Sequence, residues 1–265
     1  MTRIDAHVHC FPDRLALAVR NQLNGSGQLA GGCLLPDLAE IVRGSSFDGA
    51  WVLPYAHRAG IAADVNEWSA REVPRHAGLI AGATFHPDDE DLPALCRRAL
   101  GELGLRVVKL HCSVGKFSPG DARLRPLWAE AERLGVPVVV HAGQRGPGDT
   151  APDEVDELVP VLRAHPALKL VLAHSGHAAV PRTLELMDTY ANLYGDLTPV
   201  WAAPVPVSPE AIERLAGRFL FGSDAPNNPT SPSEQAARIE GMLSPATREL
   251  VMGATAARLV QETRS

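Results

Sequence analysis

Two stretches of the chain, Val136-Pro137-Val138-Val139-Val140 and Leu168-Lys169-Leu170-Val171-Leu172, are almost uninterrupted apolar runs of strand length. A strand with one wet face alternates apolar and polar residues. A run that is apolar at nearly every position is covered on both faces, as in an all-parallel sheet. Parallel neighbours need a long crossover, normally a helix. The chain repeats this unit, with strands predicted over residues 4–9, 49–53, 79–85, 106–111, 136–141, 168–174, 191–197 and 218–222. Helices are predicted between them, over 13–23, 36–43, 64–75, 92–103, 121–134 and 180–190. Eight strands alternating with helices in 265 residues predict an α/β chain closed into a (β/α)₈ TIM barrel, with an open doubly wound sheet as the second choice. Residues 245–262 predict a C-terminal helical extension, and no linker divides residues 1–265. The glycine-rich stretch 25–32 lacks the Gly-Lys-Ser/Thr ending of a phosphate-binding loop and predicts a mobile surface segment.

Charge and cysteine usage narrow the partners. A net charge of −6 with no basic run points away from nucleic acid. No apolar run approaches the ~20 residues that a membrane helix needs, and Met1-Thr2-Arg3 running straight into the first predicted strand leads to the expectation of no signal peptide. Cys10, Cys33, Cys96 and Cys112 show no C-x-x-C spacing, which predicts reduced thiols in a cytoplasmic protein. A small molecule is the expected partner. The oligomeric state stays open, a homodimer included.

The predicted strands end alike. His7 and His9 close the first, Lys109 and His111 the fourth, His141 the fifth and His174 the sixth, while Asp224 follows the eighth in Phe221-Gly222-Ser223-Asp224. In a parallel barrel all these ends meet at the C-terminal mouth, where active sites are built. Lys109, His141 and His174 follow one another at 32 and 33 residues, about one βα unit. On strict alternation Asp5, His7 and His9 share one face of the first strand, so two imidazoles about 6.6 Å apart can lean over one ion. Asp5 is then either an orienting group for a histidine or a strand-start residue facing solvent.

Asp-x-His-x-His in the first strand, Val-Lys-Leu-His in the fourth, Val-Val-His-Ala-Gly in the fifth, Leu-Ala-His-Ser-Gly-His in the sixth and Phe-Gly-Ser-Asp-Ala-Pro after the eighth together resemble the amidohydrolase superfamily. More narrowly they resemble the amidohydrolase-related branch that includes aminocarboxymuconate-semialdehyde decarboxylase. The ending from Gly253 to Leu259 is similar to that branch's Gly-Asn-Ala-x-Arg-Leu, with Ala254 and Thr255 departing from it. The likeness implies one metal-dependent, hydrolase-like barrel domain. It implies that His7, His9, His141 and Asp224 bind one divalent metal, with Zn²⁺ preferred. Asp224 would also serve as proton shuttle, and His174 would polarise the substrate or hold the attacking water.

Lys109 divides the readings. In binuclear members a lysine at this point is carboxylated and bridges two metals; the alternative is an unmodified ammonium with a single metal, and the single metal is preferred. Among weaker candidates, Arg145 and His111 are taken as substrate-binding. Arg58, Lys116, His57, Trp201, His177 and Asn227 are taken as surface or packing residues, and His86 as a residue that can line the pocket. The resemblance implies a metal-dependent hydrolase acting on an amide, ester or lactone of a small acid, or alternatively a lyase that decarboxylates or hydrates an unsaturated or aromatic acid. Both use the same ligands, so loop residues decide between them.

Overall fold

The computed structural model describes residues 2–24, 32–146, 149–198 and 206–261. Its sheet has eight strands in sequence order: β1 (Ile4–Val8), β2 (Gly49–Val52), β3 (Leu79–Thr84), β4 (Val107–His111), β5 (Val138–His141), β6 (Leu170–Leu172), β7 (Leu193–Asp196) and β8 (Phe219–Leu220). Every adjacent pair in this order is parallel. The last strand returns to the first. Ala6 N donates to Phe221 O at 2.9 Å, Asp224 N to His7 O at 2.8 Å and His9 N to Ala225 O at 2.7 Å. A first strand bonded on both edges rules out the open sheet and makes this a (β/α)₈ barrel.

The apolar runs are explained by two hydrophobic layers. Val52, Val108, Leu110, Val138, Val140, Leu170 and Leu172 point outward and pack with helix residues such as Leu38, Leu127, Trp128 and Leu186. Trp51, Leu53, Val107, Val139, Val171, Tyr194 and Leu220 fill the interior with Ile4 and Ala6. The C-terminal extension, Pro245–Glu249 through Thr255–Gln261, closes the lower end, where Ala256, Leu259 and Val260 join the interior layer. Gly253 is needed there because a Cβ would stand 2.1 Å from Thr2 O.

β1 breaks strict alternation. Asp5 pairs with Ala50 and Val8 with Val52, so three steps on β1 match two on β2. One extra residue is a bulge, and a bulge re-aims the side chains that follow it. Ile4 and Ala6 therefore face the interior, Val8 lies in the outer layer, and His7 and His9 both reach the mouth. This corrects the expectation that Asp5 shares their face. Asp5 is fully buried, and its Oδ1 accepts from His7 N at 3.1 Å and Ser223 N at 3.0 Å. It ties β1 to the segment after β8 and orients no imidazole. Burial raises its pKa to about 7, partly offset by the bonds from Ser223 and His7.

Candidate active site

Inward alternation from the interior layer places Lys109 above Val107 and His141 above Val139, so the polar residues form the next layer up. His7 Nε2 lies 3.1 Å from His9 Nε2, 3.3 Å from Lys109 Nζ and 3.9 Å from Asp224 Oδ1. His9 Nε2 is 3.1 Å from the same carboxylate oxygen. Gly222 makes room for this approach, since a Cβ there would meet His7 Cβ at 2.6 Å.

The far sides of both rings fix their protons. His9 Nδ1 donates to Leu53 O at 2.7 Å, and a carbonyl can only accept. His7 Nδ1 faces Asp196 Oδ2 at 2.8 Å. With Nδ1 protonated in each, the two Nε2 atoms are lone pairs turned towards each other. His7 is held neutral, its pKa well below the ordinary value through burial first and then the charge of Lys109. Two lone pairs and a carboxylate oxygen converging on one point are a set that a cation satisfies. Donors of a tetrahedral ion with bonds of about 2.0–2.1 Å would stand about 3.3–3.4 Å apart, a spacing that the 3.1, 3.1 and 3.9 Å separations here bracket. Orientation of each ligand ring through its other nitrogen is the usual support of such a site.

Asp224 sits just beyond β8 with φ 60° and is partly exposed to the mouth. Burial works against its charge, but contact with His9 and the charges of His9, His7 and Lys109 outweigh it, and the carboxyl is held below its ordinary range. Lys109 is completely buried and makes no ion pair among the described residues. Burial lowers its pKa to about 8, against the pull of Asp196 and Asp224.

His141 stands in a second group. Its Nε2 is 3.2 Å from His177 Nε2, and its ring stacks on His111 with centroids 3.9 Å apart. His174 completes the group, with its centroid 5.0 Å from His141 and 4.3 Å from His177. It is also 5.0 Å from His7, which joins the two groups into one cluster. Donor atoms of His7, His9 and Asp224, of His141, His174 and His177, and of His7, His174 and Asp196 each lie within 4.8 Å of one another. Burial, followed by neighbouring cationic charge, keeps His111, His141 and His174 neutral far below the usual range.

Two contributors escape the sequence reading. Asp196, at the end of β7, accepts from His7 Nδ1 at 2.8 Å, His174 N at 2.7 Å and Thr198 Oγ1 at 2.8 Å. Its signal was available: an ionisable residue ending an apolar strand, as in the other strands. His177, expected as a surface or packing residue, lies inside the cluster instead. Residues 174–177 all have positive φ, and His177 at φ 53°, ψ −113° occupies a region that suits glycine. Strain at a non-glycine residue is tolerated where the surroundings hold it, here two imidazoles.

Other expected residues fall elsewhere. His111 bonds Ser113 Oγ through Nδ1 at 3.2 Å and meets Tyr55 edge-on. His86 bonds Gly115 O at 2.9 Å and packs on Phe117, shaping the loop after β4. His57 and Arg58 are exposed. The side chain of Arg145, Trp201, and residues 25–31 of the glycine-rich stretch lie outside the described residues.

The amidohydrolase family profile matches residues 4–261. The chain belongs to the amidohydrolase family. It is 26% identical to a 6-methylsalicylic acid decarboxylase from Penicillium expansum, over 86% of each chain. Among solved structures it is similar to an uncharacterized TIM-barrel protein from Bordetella bronchiseptica (TM-score 0.76, 19% identity, 98% of this chain and 99% of that one). It is also similar to 2,6-dihydroxybenzoate decarboxylase from Rhizobium (TM-score 0.72, 16% identity, 98% and 99%). The structural likenesses concern the fold. Among the described residues, no helix is long and apolar enough to cross a membrane.

Proposed function

We propose that this chain is a metal-dependent lyase that removes carbon dioxide from a small aromatic or unsaturated carboxylic acid. The observation that carries the metal is the convergence of the His7 and His9 Nε2 atoms, 3.1 Å apart beside Asp224, in rings whose Nδ1 atoms are committed to Asp196 and Leu53 O. His7, His9 and Asp224 would hold a single divalent ion, preferably Zn²⁺, with His141 as the fourth ligand that the family resemblance implies. Bound there, the ion supplies a Lewis acid for substrate oxygens. The choice of lyase over hydrolase rests on the decarboxylase relative that matches along most of the chain.

The chain's own residues account for the rest. Lys109, unmodified, places a buried positive charge beside His7 and stabilises a carboxylate brought to the mouth. His174 commits Nδ1 to Thr198 O at 2.9 Å, which leaves Nε2 as an acceptor for a substrate hydroxyl. Asp224 reaches the mouth and moves the proton. In the reaction the bond between the ring carbon and the carboxyl carbon breaks, carbon dioxide leaves, and a proton taken up at Asp224 forms the new C–H bond. Such positioned proton transfer contributes about 10²–10⁴-fold. Arg145 is kept as a substrate-binding residue. Four unpaired, buried cysteines favour a reducing, cytoplasmic setting.

The test is a panel of 6-methylsalicylate, 2,6-dihydroxybenzoate and matched amides, esters and lactones, assayed for carbon dioxide and for hydrolysis. Release of carbon dioxide from an aromatic acid is expected. Hydrolysis without carbon dioxide release would return the chain to the hydrolase reading, which uses the same side chains. Elemental analysis should find about one transition-metal ion per chain in active protein.

A further inference from the structure

Tyr55 follows β2 and is buried between the site and the rim, with its ring edge-on to His9 (5.3 Å), His111 (4.8 Å) and Phe11 (4.7 Å). Every one of these contacts uses the ring. The hydroxyl makes no hydrogen bond among the described residues and is not sealed from solvent. Tyr55 instead lines a cavity of about 330 Å³ together with Leu15, Val19, His57, Val114 and Lys116. This is the lower end of the size range of small-molecule pockets. The walls divide by chemistry. Leu15 and Val19 come from the helix Asp13–Asn24, and Val114, 36% exposed, comes from the one-turn helix after β4. Lys116 and His57 stand with them, and Lys116 makes no ion pair among the described residues. A phenol hydroxyl carries a proton at neutral pH, so it can donate to an incoming oxygen.

Resting on the lyase reading above, we infer that Tyr55 donates its hydroxyl to an oxygen of the bound acid while Leu15, Val19 and Val114 receive an alkyl substituent on its ring. Three features stand together: a phenol without a protein acceptor among the described residues, an apolar wall of half-buried Leu15 and Val19 with the exposed Val114, and Lys116 without an acidic partner among the described residues at one opening. An aromatic acid carrying a methyl group uses all of them. A ring substituted with a hydroxyl at the same position loses the apolar contact and leaves that hydroxyl facing aliphatic side chains.

Calorimetric titration of the metal-loaded full chain with salicylate and 6-methylsalicylate, alongside carbon dioxide release, tests the assignment. A methyl group on an apolar wall should tighten binding about fourfold. Val114→Ser should erase that preference. Tyr55→Phe keeps the ring on His9 and His111 and should weaken both acids about tenfold or more, raising KM more than it lowers kcat. Circular dichroism and ion content equal to those of the parent chain would show that the variants fold. Equal affinity of the parent chain for the two acids, binding of neither, or Tyr55→Phe within twofold of the parent chain would overturn the subsite. Binding with the expected pattern but no carbon dioxide would leave the subsite standing and remove the lyase. Carbon dioxide release untouched by either variant would do the reverse.

Discussion

His7, His9 and Asp224 on one side of the mouth, and His141, His174 and His177 on the other, are groups of similar size and opposite preparation. In the first, both imidazoles spend Nδ1 on acceptors outside the group, Asp196 and Leu53 O, so the Nε2 atoms that face each other cannot bond. In the second, only His174 is fixed this way, through Thr198. His141 and His177 meet Nε2 to Nε2 at 3.2 Å, and one can simply donate to the other. The imidazoles of the first group cannot satisfy each other, and Lys109 Nζ, 3.3 Å from His7 Nε2, offers a proton to that ring alone, whereas the second group satisfies itself. Preparation by second partners, more than the number of histidines, marks where a cation belongs.

The largest effect should come from removing the first group's carboxylate. Asp224→Asn replaces the proton carrier with an amide that cannot take a proton at neutral pH, and turnover should fall about 10²–10⁴-fold with the fold intact. Steady-state kinetics and circular dichroism check this. Turnover within tenfold of the parent chain would take Asp224 out of the mechanism.

Asp196→Asn comes next. It leaves all five imidazoles of the two groups in place but lets an amide NH₂ face His7 Nδ1, which favours the wrong tautomer. Ion affinity measured by chelator competition should drop about 10–100-fold. His177→Ala, by contrast, should change it less than threefold. Similar losses in both variants would mean that His177 prepares the ion site as much as Asp196 does and that the contrast between the groups is false.

The barrel was legible because its strands carry two independent marks, apolar runs covered on both faces and ionisable residues at one end. His7, His9, Lys109, His141, His174 and Asp224 were legible as a set for the second reason. Their partition into two groups was not, because it depends on which nitrogen of each ring meets Asp196, Leu53 O or Thr198, and those contacts cross 24 to 189 residues of sequence. The bulge was hidden as well. Asp-x-His-x-His reads as perfect alternation, and only the register against Ala50 and Val52 reveals the extra residue that turns Asp5 away from the site. Asp196 bears the strand-end signal but pairs with no ionisable neighbour in sequence, so nothing local distinguishes it from a buried turn residue.

That turned-away Asp5 gives a smaller, pH-dependent effect. Its folded pKa of about 7 lies above the ordinary aspartate value of 3.8, so the folded state binds the extra proton between these values. The contribution is fully present below about pH 4 and is lost as pH rises through 7. Oδ2 has no partner to hold a charge. Asp5→Asn retains an acceptor for His7 N and Ser223 N, and it should stabilise the chain by about 2–3 kcal/mol at pH 8 relative to its effect at pH 5. Urea denaturation at the two pH values measures the difference. An Asp5→Asn effect that does not change with pH would mean Asp5 is ionised in the fold.

The smallest effect separates the ring of His177 from its backbone. At φ 53°, ψ −113° a Cβ is strained, and glycine is not. His177→Ala keeps the strain and loses the ring, while His177→Gly loses both. If the two neighbouring imidazoles merely hold a strained residue in place, the glycine variant should be more stable than the alanine variant by about 1 kcal/mol, despite the greater freedom of glycine in the unfolded chain. In a chain of this size that is a difference of about 2–4 °C in Tm. Equal melting temperatures would mean the backbone is relaxed there and the sequence could have carried a side chain at 177 without penalty. A gap in the expected direction, with ion affinity unchanged in both variants, would mean the second group bears a local strain that the first group's cation does not repay, and would leave the His177 ring to act on whatever enters the mouth.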